Sequence, residues 1–375
     1  MSKDNLKGGV NEGGNSVINS VTNGKRDGER DGERDGKIDS EAVKRQAIAL
    51  GFHQVGIAPI AMTLSAAEQN AQAALQAWLA QGFQADMAWM NSDKRQDIRH
   101  VMPGAKSMIC VALNYYTPQQ RLKGRQYAKI SRYGWGRDYH RILSQKLKQL
   151  AHWLRSQPSP PGNEAIEARP YADTGPVQDK FWAQQAGIGW IAKNGNVITR
   201  RYGSWVFLGE IITNLALAGD QPHTAHCGSC SRCLDACPTA AIRAPGVVDA
   251  NRCIAYHTIE NRAAVLPEAI AQNLQNWVAG CDICQDVCPW NQRFAQESDI
   301  EAFQPYPGNL NPTLTDLCDI TDAAWNQHFP ASALRRIKPS MLRRNARAAL
   351  AAHRPSPSRQ HREPPSSIPY DKHPV

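Results

Sequence analysis

The sequence predicts a mixed α/β domain, a cysteine-rich module after it, and a short helical region near the C-terminus. Helix and strand patterns alternate between residues 40 and 215, which is typical of one mixed α/β domain. Eight of the ten cysteines then fall between residues 227 and 288. We expect an α/β domain at 39–218, the cysteine-rich module at 219–300, a helical region at 301–352, and disordered segments at 1–38 and 353–375.

The elements of the α/β domain follow from capping residues and apolar periodicity. Ser40 is a suitable N-cap for a helix over residues 41–50, which Gly51 ends. The continuous apolar run from Ser107 to Tyr115 indicates a buried strand. The remaining patterns predict strands at 52–60 and 205–213, helices at 66–81, 138–156 and 177–186, and helical structure over 313–352.

Both ends of the chain have compositions typical of disorder. Residues 1–38 are rich in Gly, Asn and Ser, and an R-D-G-E unit repeats between Arg26 and Lys37. Residues 353–375 are rich in Pro, Ser and His. No stretch approaches the roughly 20 apolar residues of a membrane span, and no apolar segment follows the N-terminal lysines. These observations favour a cytoplasmic protein that has no membrane partner.

The cysteines form a pattern of electron-transfer proteins. A C-x-x-C-x-x-C-x-x-x-C-P run begins at Cys227, and a shorter C-x-x-C-x-x-x-C-P run begins at Cys281. In bacterial ferredoxins the first three thiolates of such a run bind one 4Fe–4S cluster, and the fourth binds the other cluster. Val278 stands where the second run lacks its first cysteine, and Cys253 is the available substitute.

The count predicts two 4Fe–4S clusters, held by Cys227, Cys230, Cys233 and Cys288, and by Cys237, Cys253, Cys281 and Cys284. Structural zinc is an alternative, but zinc sites usually pair two C-x-x-C knuckles and need fewer neighbouring thiolates. Disulfides are another, but they require an oxidising compartment that nothing in the sequence indicates. Of the two remaining cysteines, Cys110 lies in the apolar run and is expected to be a buried small side chain.

Several motifs resemble the epoxyqueuosine reductase family, in the family's order, from about residue 41 to 350. They are Ile130-Ser131-Arg132-Tyr133-Gly134-Trp135-Gly136-Arg137-Asp138-Tyr139-His140, Asp173-Thr174-Gly175-Pro176, Ala186-Gly187-Ile188-Gly189-Trp190-Ile191-Ala192-Lys193-Asn194, Cys253-Ile254-Ala255-Tyr256-His257-Thr258-Ile259-Glu260 and Gly280-Cys281-Asp282.

The resemblance implies an oxidoreductase that acts on tRNA. The family uses cobalamin to remove the epoxide oxygen of epoxyqueuosine at the wobble position, giving queuosine. Its N-terminal domain holds cobalamin, its ferredoxin-like domain carries two 4Fe–4S clusters, and a short helical-repeat (HEAT-like) region helps to bind RNA. The expected partners are a tRNA with a queuosine-type (GUN) anticodon and a low-potential electron donor such as flavodoxin or ferredoxin, with the enzyme itself a monomer.

Asp173 is the implied catalytic residue, because it matches the family's proton-donating aspartate. A carboxylic acid that donates a proton at neutral pH needs a raised pKa, which burial against the corrin face could produce. An alternative role for Asp173 is an ordinary cap of the helix that begins near Pro176.

The resemblance also implies residues that contact cobalamin. They are Arg95, Trp135, Asp173, Val197, Leu208, Ala255 and Asp282, each of which could instead be a packing or surface residue. No D-x-H-x-x-G motif is present, since Leu143 occupies its glycine position after Asp138 and His140. This fits the family's base-off cofactor, and it leaves His140 as a structural or substrate-contacting residue.

The chain departs from the family pattern at three places. Thr174-Gly175 replaces Ser-Ala, Gln178-Asp179-Lys180 replaces Leu-Glu-Arg, and Ala192 replaces Gly. The C-terminal region has basic residues that either bind a polyanion or form a solvated helix face. They are Arg335, Arg336, Lys338, Arg343, Arg344 and Arg347.

Two other functions are weighed against this one. A corrinoid iron–sulfur reductive dehalogenase would share the cofactors, but such enzymes commonly carry a twin-arginine leader and have no use for a basic C-terminal helix. A plain two-cluster electron carrier would leave nearly two hundred residues before the cysteines without a role.

Overall fold

The structure is a computed structural model that describes residues 38–159 and 165–353. The disorder predicted for residues 1–38 and 353–375 lies outside the described residues, apart from Ile38 and His353. Residues from 38 onward form one compact unit. Within the described ranges, no helix combines the length and apolar character needed to cross a membrane.

The described strands and helices follow one another along the whole chain. The strands are β1 (Gln54–Pro59), β2 (Ser107–Asn114), β3 (Lys129–Ile130), β4 (Ala168–Tyr171), β5 (Trp190–Ile191), β6 (Val197–Ile198), β7 (Val206–Thr213), β8 (Ile242–Ala244), β9 (Val247–Val248) and β10 (Trp277–Ala279). The helices are α1 (Ser40–Ala49), α2 (Ala66–Ala80), α3 (Asp93–Gln96), α4 (Tyr139–Arg155), α5 (Asp179–Gln185), α6 (Arg232–Ala236), α7 (Ile254–Ile259), α8 (Glu268–Ala271), α9 (Ile283–Asp286), α10 (Pro289–Phe294), α11 (Pro307–Leu310), α12 (Leu314–Cys318), α13 (Asp322–His328) and α14 (Pro339–Ala351).

A four-stranded antiparallel sheet in the order β1-β2-β7-β4 lies at the centre of the α/β region. All eight residues of β2 are buried, as its continuous apolar run predicts. Alternate β2 side chains point to opposite faces of the sheet. Ile109, Val111 and Leu113 join a core that includes Leu143 and Leu147 of α4. Met108, Cys110 and Ala112 join a second core with α5.

The predicted helices form, with small shifts at their ends. The Ser65–Glu68 capping box starts α2, since each side chain bonds the other residue's backbone N–H. Helix α1 is capped by Asp39, so the prediction of Ser40 as its N-cap is wrong. Helix α5 begins at Asp179 rather than at Val177, which leaves residues 172–178 free to form a loop.

The C-terminal region is helical, as predicted, but it consists of several short helices rather than one. Its apolar side chains join a core that also contains Trp277 and Val278 of β10. Strand β10 pairs in parallel with β3 of the preceding region. The buried Asn345 of α14 donates to the carbonyl oxygens of Thr258 and Val278. This core therefore connects the cysteine-rich segment with regions on both sides of it in the sequence.

Candidate active site and cluster centre

All ten cysteines are free thiols. Of the eight predicted ligands, Cys227 and Cys230 lie in the loop before α6, and the other six lie in or beside short helices. Cys253 is the N-cap residue of α7, and Cys288 is the N-cap residue of α10, where Pro289 occupies the first helical position. Short helices that begin and end at cysteines fix the spacing of the thiols. Helices α6 and α9 pack against each other, which brings the two runs together.

The thiols sort into two neighbouring sets. Burial raises the pKa of Cys233, and the nearby Cys288 and Cys227 add to that rise. Burial likewise raises the pKa of Cys281, with further contributions from Cys284 and Cys253. Such mutual effects require short separations. They join Cys233 to two members of its predicted cluster and Cys281 to two of its own.

The remaining thiols follow the same division. Burial is the largest cause of the raised pKa of Cys288, and Cys227 and Cys230 contribute after it. For Cys253, burial is again the largest cause, and Cys237 is the neighbouring thiol that contributes. This proximity supports the proposed ligand sets, which we call the outer set (Cys227, Cys230, Cys233 and Cys288) and the inner set (Cys237, Cys253, Cys281 and Cys284).

Each set offers four thiols, the number of cysteine ligands of one 4Fe–4S cluster. Across the described residues, no three His, Cys, Asp or Glu side chains are placed to chelate a single metal ion. Four thiolates of a zinc site converge on one atom, whereas those of a 4Fe–4S cluster bind the separate corners of a cube. The two sets are also adjacent, because Cys233 of the outer set affects the pKa of Cys284 in the inner set.

The two sets differ in their surroundings. The inner set is more enclosed by protein, since burial is the largest cause of the raised pKa of Cys253 and Cys284, although its four thiols stay partly accessible. In the loop of the outer set, Gly228, Ser229, Ser231 and Arg232 are exposed. Behind that loop, Cys227 and Cys288 pack with Trp190 and Trp290. The outer set therefore faces solvent through this loop.

Asp173 lies in the loop that follows β4 and forms a hydrogen-bonded pair with His140. The Nε2 atom of His140 lies 3.0 Å from an Asp173 carboxylate oxygen, and Nδ1 lies 2.7 Å from Asp138. Asp138 is the N-cap of α4 and accepts from the backbone N–H of His140. The Tyr139 ring stacks on the imidazole. The start of α4 thus fixes the histidine that holds Asp173.

The pKa values place a proton on His140 rather than on Asp173. Burial alone disfavours charge on both groups. For Asp173, the hydrogen bond and positive charge of His140 outweigh that burial and lower its pKa. For His140, the hydrogen bonds to Asp138 and Asp173 outweigh burial and raise its pKa to about 9. The raised pKa that the sequence analysis expects for Asp173 is therefore not found in this structure.

The alternative role of Asp173 as a helix cap is wrong. Helix α5 starts six residues further on, and its N-cap position is occupied by Gln178. The backbone at Asp173 has φ +60°, a left-handed conformation that Asp and Asn adopt more readily than most residues. Backbone strain of this kind is often found at active sites.

Arg95 stabilises the loop that carries Asp173. Its guanidinium donates to the carbonyl oxygens of Gly175 and Val177, at 2.9 and 2.8 Å. Gln178 returns a bond to the carbonyl oxygen of Arg95. A Cβ at Gly175 would collide with the ring of Tyr171, which gives a physical reason for glycine where the family pattern has Ala. Arg95 thus positions the loop.

Lys180 lies near both Asp173 and the inner set of thiols. Its side chain is exposed, yet burial is the largest cause acting on its lowered pKa, and Asp173, Cys253 and Cys284 all contribute to it. The Asp173 side chain is likewise 57% exposed, although burial is the largest single cause acting on its pKa. When a side chain is accessible to solvent and also surrounded by protein, it forms part of the wall of a cleft. Asp173, Lys180 and the inner thiols therefore belong to one concave site.

The other residues predicted to contact cobalamin divide into two kinds. Trp135 is buried, donates to the carbonyl oxygen of Ile130, and lies between the guanidinium groups of Arg121 and Arg132. Asp282 is fully buried and bonds Arg121, Ser131 and Arg132. These two side chains therefore make contacts within the protein.

Val197, Leu208 and Ala255 differ from that pair because their side chains are apolar. Val197 is buried in the core beside α5, and Leu208 is partly buried against the same core. Ala255 is partly buried in the first turn of α7, two residues after Cys253. No polar partner is needed by any of the three.

Two features could not be read from the sequence. Arg336 belongs to the predicted basic group, but the structure pairs it with Glu260, and its charge also lowers the pKa of Asp173. Glu210 of β7 and Asp179 of α5 form a buried carboxyl pair in which burial raises the pKa of both groups. Both Glu210 carboxylate oxygens lack a conventional hydrogen-bond donor, so a shared proton is expected between the pair. A glutamate inside the apolar run 206–213 was the available signal.

Comparison with known proteins gives close relatives over most of the chain. A Synechocystis sp. protein named epoxyqueuosine reductase is 62% identical over 298 residues, which cover 79% of this chain and 100% of that protein. The Gloeobacter violaceus epoxyqueuosine reductase is 50% identical and covers 85% of this chain and 98% of its own length. Both relatives are thus matched over nearly their whole length.

Solved structures agree with these relatives. An epoxyqueuosine reductase structure from Bacillus subtilis, described with its aspartate catalytic loop swung out of the active site, has a TM-score of 0.74 at 30% identity and covers 83% of this chain and 81% of that one. An epoxyqueuosine reductase bound to an epoxyqueuosine-modified tyrosine tRNA stem loop has a TM-score of 0.72 at 31% identity, covering 83% and 80%.

The fold and the two thiol sets define a two-cluster iron–sulfur protein built on a mixed α/β region. Residues 226–291 match the family described as "4Fe-4S double cluster binding domain". Residues 95–174 match the family described as "Epoxyqueuosine reductase QueG, DUF1730". With the identities above, the chain belongs to the epoxyqueuosine reductase family.

Proposed function

We infer that this protein is an oxidoreductase that reduces epoxyqueuosine to queuosine at the wobble position of tRNA. The observation that supports it best is the Asp173–His140 pair in a cleft that Lys180 shares with the inner thiols. A proton donor and an electron source thus meet at one place. The decisive experiment is nucleoside analysis of tRNA from cells that lack the protein, in which epoxyqueuosine should accumulate.

The cleft fits cobalamin as the organic cofactor. Its wall includes an apolar part, where Val197 and Leu208 join the core beside α5, and a polar part at Asp173 and Lys180. Val197, Leu208 and Ala255 would contact the corrin, and Asp173 would face it. Once bound and reduced to a low-valent state, cobalamin supplies a strong nucleophile for the epoxide carbon. The protein positions the substrate, supplies electrons and controls protons.

The reaction needs two electrons and two protons for each epoxide. The C–O bonds of the epoxide are lost, a carbon–carbon double bond forms, and the oxygen leaves as water. His140 holds a proton at neutral pH, and its bond to Asp173 gives that proton a route to the exposed carboxylate. Asp173 then protonates the leaving oxygen, and His140 restores the proton. Asp173 thus acts as the general acid, supplied by His140.

This arrangement predicts an alkaline limit to the chemical step. His140 has a raised pKa of about 9, so its proton is present below that pH and lost above it. We expect single-turnover rates with prereduced enzyme to be level near neutrality and to fall about tenfold per pH unit above pH 9. Rapid-quench assays with a modified tRNA stem loop, repeated over a pH series, would measure this profile.

The matched variant is Asp138→Asn, which removes one of the two carboxylates that hold the His140 proton. Its alkaline limb should move to lower pH, because a lost negative neighbour lowers the pKa of an imidazole. A limb that stays in place in Asp138→Asn would show that His140 is not the group that titrates.

The positions of the outer and inner sets suggest the order in which electrons pass through the two clusters. The outer set faces solvent, Cys233 and Cys284 connect the two sets, and the inner set shares the cleft with Asp173. Cluster potentials in proteins reach low enough values to reduce a corrin cobalt. Electrons from a low-potential donor such as flavodoxin or ferredoxin therefore enter at the outer cluster and reach the substrate site through the inner one.

The tRNA partner is proposed to be one with a GUN anticodon, held partly by the helical C-terminal region, which we propose to be HEAT-like. Arg336 lies near Asp173, and its guanidinium carbon lies 5.9 Å from the centre of the half-exposed Trp89 ring. An arginine beside an exposed aromatic ring suits an unstacked nucleotide.

We further propose that the enzyme acts as a cytoplasmic monomer. We also propose that the domain limits at residues 218 and 300 separate its functional parts.

The basic residues of α14 have different roles. Arg344 donates to the carbonyl oxygens of His257, Asn261 and Ala263 and is structural. Arg343 and Arg347 pair with exposed aspartates near the surface. We expect Arg343→Ala/Arg347→Ala to weaken tRNA binding and to reduce the slope of log affinity against log salt by about 1.5, because each phosphate contact contributes roughly 0.7–0.9.

Filter binding of a modified tRNA over a salt series would measure that slope. The control is Arg45→Ala/Lys148→Ala, which removes two exposed charges from α1 and α4. Equal slopes for both double variants would mean that the α14 arginines form only a solvated face.

The alternatives are less consistent with the structure. A plain electron carrier has no need of the Asp173–His140 pair, and a reductive dehalogenase would not be expected to share 62% identity with an epoxyqueuosine reductase over 79% of this chain.

A further inference from the structure

The solvent side of the outer cluster has a strongly basic rim. Two segments frame the exposed loop, residues 193–209 and 221–234. Together they contain Lys193, Arg200, Arg201 and Arg232 and no Asp or Glu. Asp220 and Asp235 flank the second segment, and Asp220 is paired with Lys44.

Two of these side chains contact the cluster loop directly. Lys193 donates to the carbonyl oxygen of Gly228 at 2.7 Å, and an Nη atom of Arg200 lies 3.0 Å from Nε2 of His226, next to Cys227. Arg201 and Arg232 are exposed. The nearest carboxylate after this segment, Asp235, accepts a hydrogen bond from Ser231. The loop is thus held by one pair of cations and flanked by a second, exposed pair.

Aromatic side chains cover one side of the outer set. Trp190 is buried and meets Trp290 edge to face at 4.7 Å, and both pack beside Cys227 and Cys288. On a further side lies the inner set. Electrons from a protein donor therefore reach the outer cluster most directly across the Gly228–Arg232 loop.

We propose that this basic rim is the docking site of an acidic, low-potential one-electron carrier protein. The proposal rests on the proposed function, because only a net reduction needs repeated delivery of electrons. Each turnover takes two electrons, so two reduced carriers dock in succession, each is oxidised by one electron, and the two protons come from the substrate cleft. Opposite charge steers such short encounters and raises their rate without requiring a large interface.

RNA is the other polyanion that a basic rim could attract. The substrate nucleoside must reach Asp173, however, which lies in the cleft of the inner set, whereas this rim surrounds the outer set. A tRNA bound across the rim would also cover the entry for electrons. The observations therefore favour a protein partner here, and RNA binding is one outcome of the test.

The test is the variant Arg201→Glu/Arg232→Glu, which spares Lys193 and Arg200 because they support the loop. A purified bacterial flavodoxin with its reductase is the protein donor, and reduced methyl viologen is the small donor. We expect kcat/KM for flavodoxin to fall about tenfold or more and its salt dependence to flatten, while turnover with methyl viologen and iron content stay at wild-type values.

The control Arg45→Glu/Lys148→Glu makes the same change in net charge on α1 and α4 and should leave both donors unaffected. An unchanged flavodoxin kcat/KM would overturn the proposal. A loss of tRNA affinity in Arg201→Glu/Arg232→Glu, with equal losses for both donors, would also overturn it and assign the rim to RNA. Failure of the proposed function looks different, since the wild-type protein would then give no queuosine with either donor.

Discussion

We expect Asp173→Asn to bind both clusters and cobalamin normally and to lose about 10²- to 10⁴-fold of its single-turnover rate, the usual effect of removing a general acid. Asn keeps the size of the side chain and can still accept the bond from His140 at 3.0 Å. It also adopts the left-handed backbone that φ +60° requires. The variant therefore removes the carboxylate that passes the His140 proton to the leaving oxygen, while it preserves the loop.

The measurement is a single turnover of a modified tRNA stem loop by prereduced enzyme, which separates chemistry from slow electron supply. Asp299→Asn is a matched control, because Asp299 forms a similar pair with His53 at 2.8 Å on the surface. That variant should react at the wild-type rate. Near wild-type turnover by Asp173→Asn would exclude Asp173 as the proton donor.

Much of the fold could be predicted because it rests on local patterns. The apolar run of β2 and the spacing of α4 are visible in the sequence and are found in the structure. The short strands β3 and β10 could not be predicted, because each has two or three residues and their pairing joins segments that are distant in sequence. Such pairings are fixed by tertiary packing rather than by propensity.

In the candidate site, too, some features follow from local sequence and others depend on tertiary packing. The spacing of the two runs, with Cys253 as substitute for the missing cysteine, predicts which thiols share a cluster, since ligand order in ferredoxin runs is a local property. That assignment stays a prediction. The state of Asp173 could not be predicted, because its pKa depends on His140, which is brought beside it by the start of α4. From the sequence, Asp173 is an isolated carboxyl group, and burial would raise its pKa and keep it protonated at neutral pH. The structure makes it one member of a chain from Asp138 through His140, in which the proton rests on the histidine.

The basic rim escaped sequence analysis for a related reason. Lys193 and Arg232 are 39 positions apart in the sequence, and neither belongs to a basic run like that of α14. They become one surface only because the loops before α6 fold against the β5–β6 hairpin. The more obvious basic run, by contrast, includes Arg344, whose charge is used to hold three backbone carbonyls.

The substitution with the largest expected effect on iron and sulfide content is Cys253→Ala. If Cys253 replaces the cysteine missing from the second run, its loss should remove the inner cluster and leave the outer one. Anaerobic iron and acid-labile sulfide should fall from about eight of each per chain towards four. Cys253 lies close to Cys281 and Cys284, and burial raises the pKa of Cys253 and Cys281.

The controls are the two cysteines that belong to neither predicted ligand set. Cys110 and Cys318 are buried in apolar cores, and Cys110→Ala and Cys318→Ala should keep eight iron atoms. Turnover of Cys253→Ala should be abolished with flavodoxin and with methyl viologen alike, because the inner cluster is the step between the solvent side and the cleft. Retention of both clusters by Cys253→Ala would exclude Cys253 as a ligand. Complete loss of iron would instead show that the outer cluster depends on the inner one for its assembly, since Cys233 and Cys284 lie at the junction of the two sets.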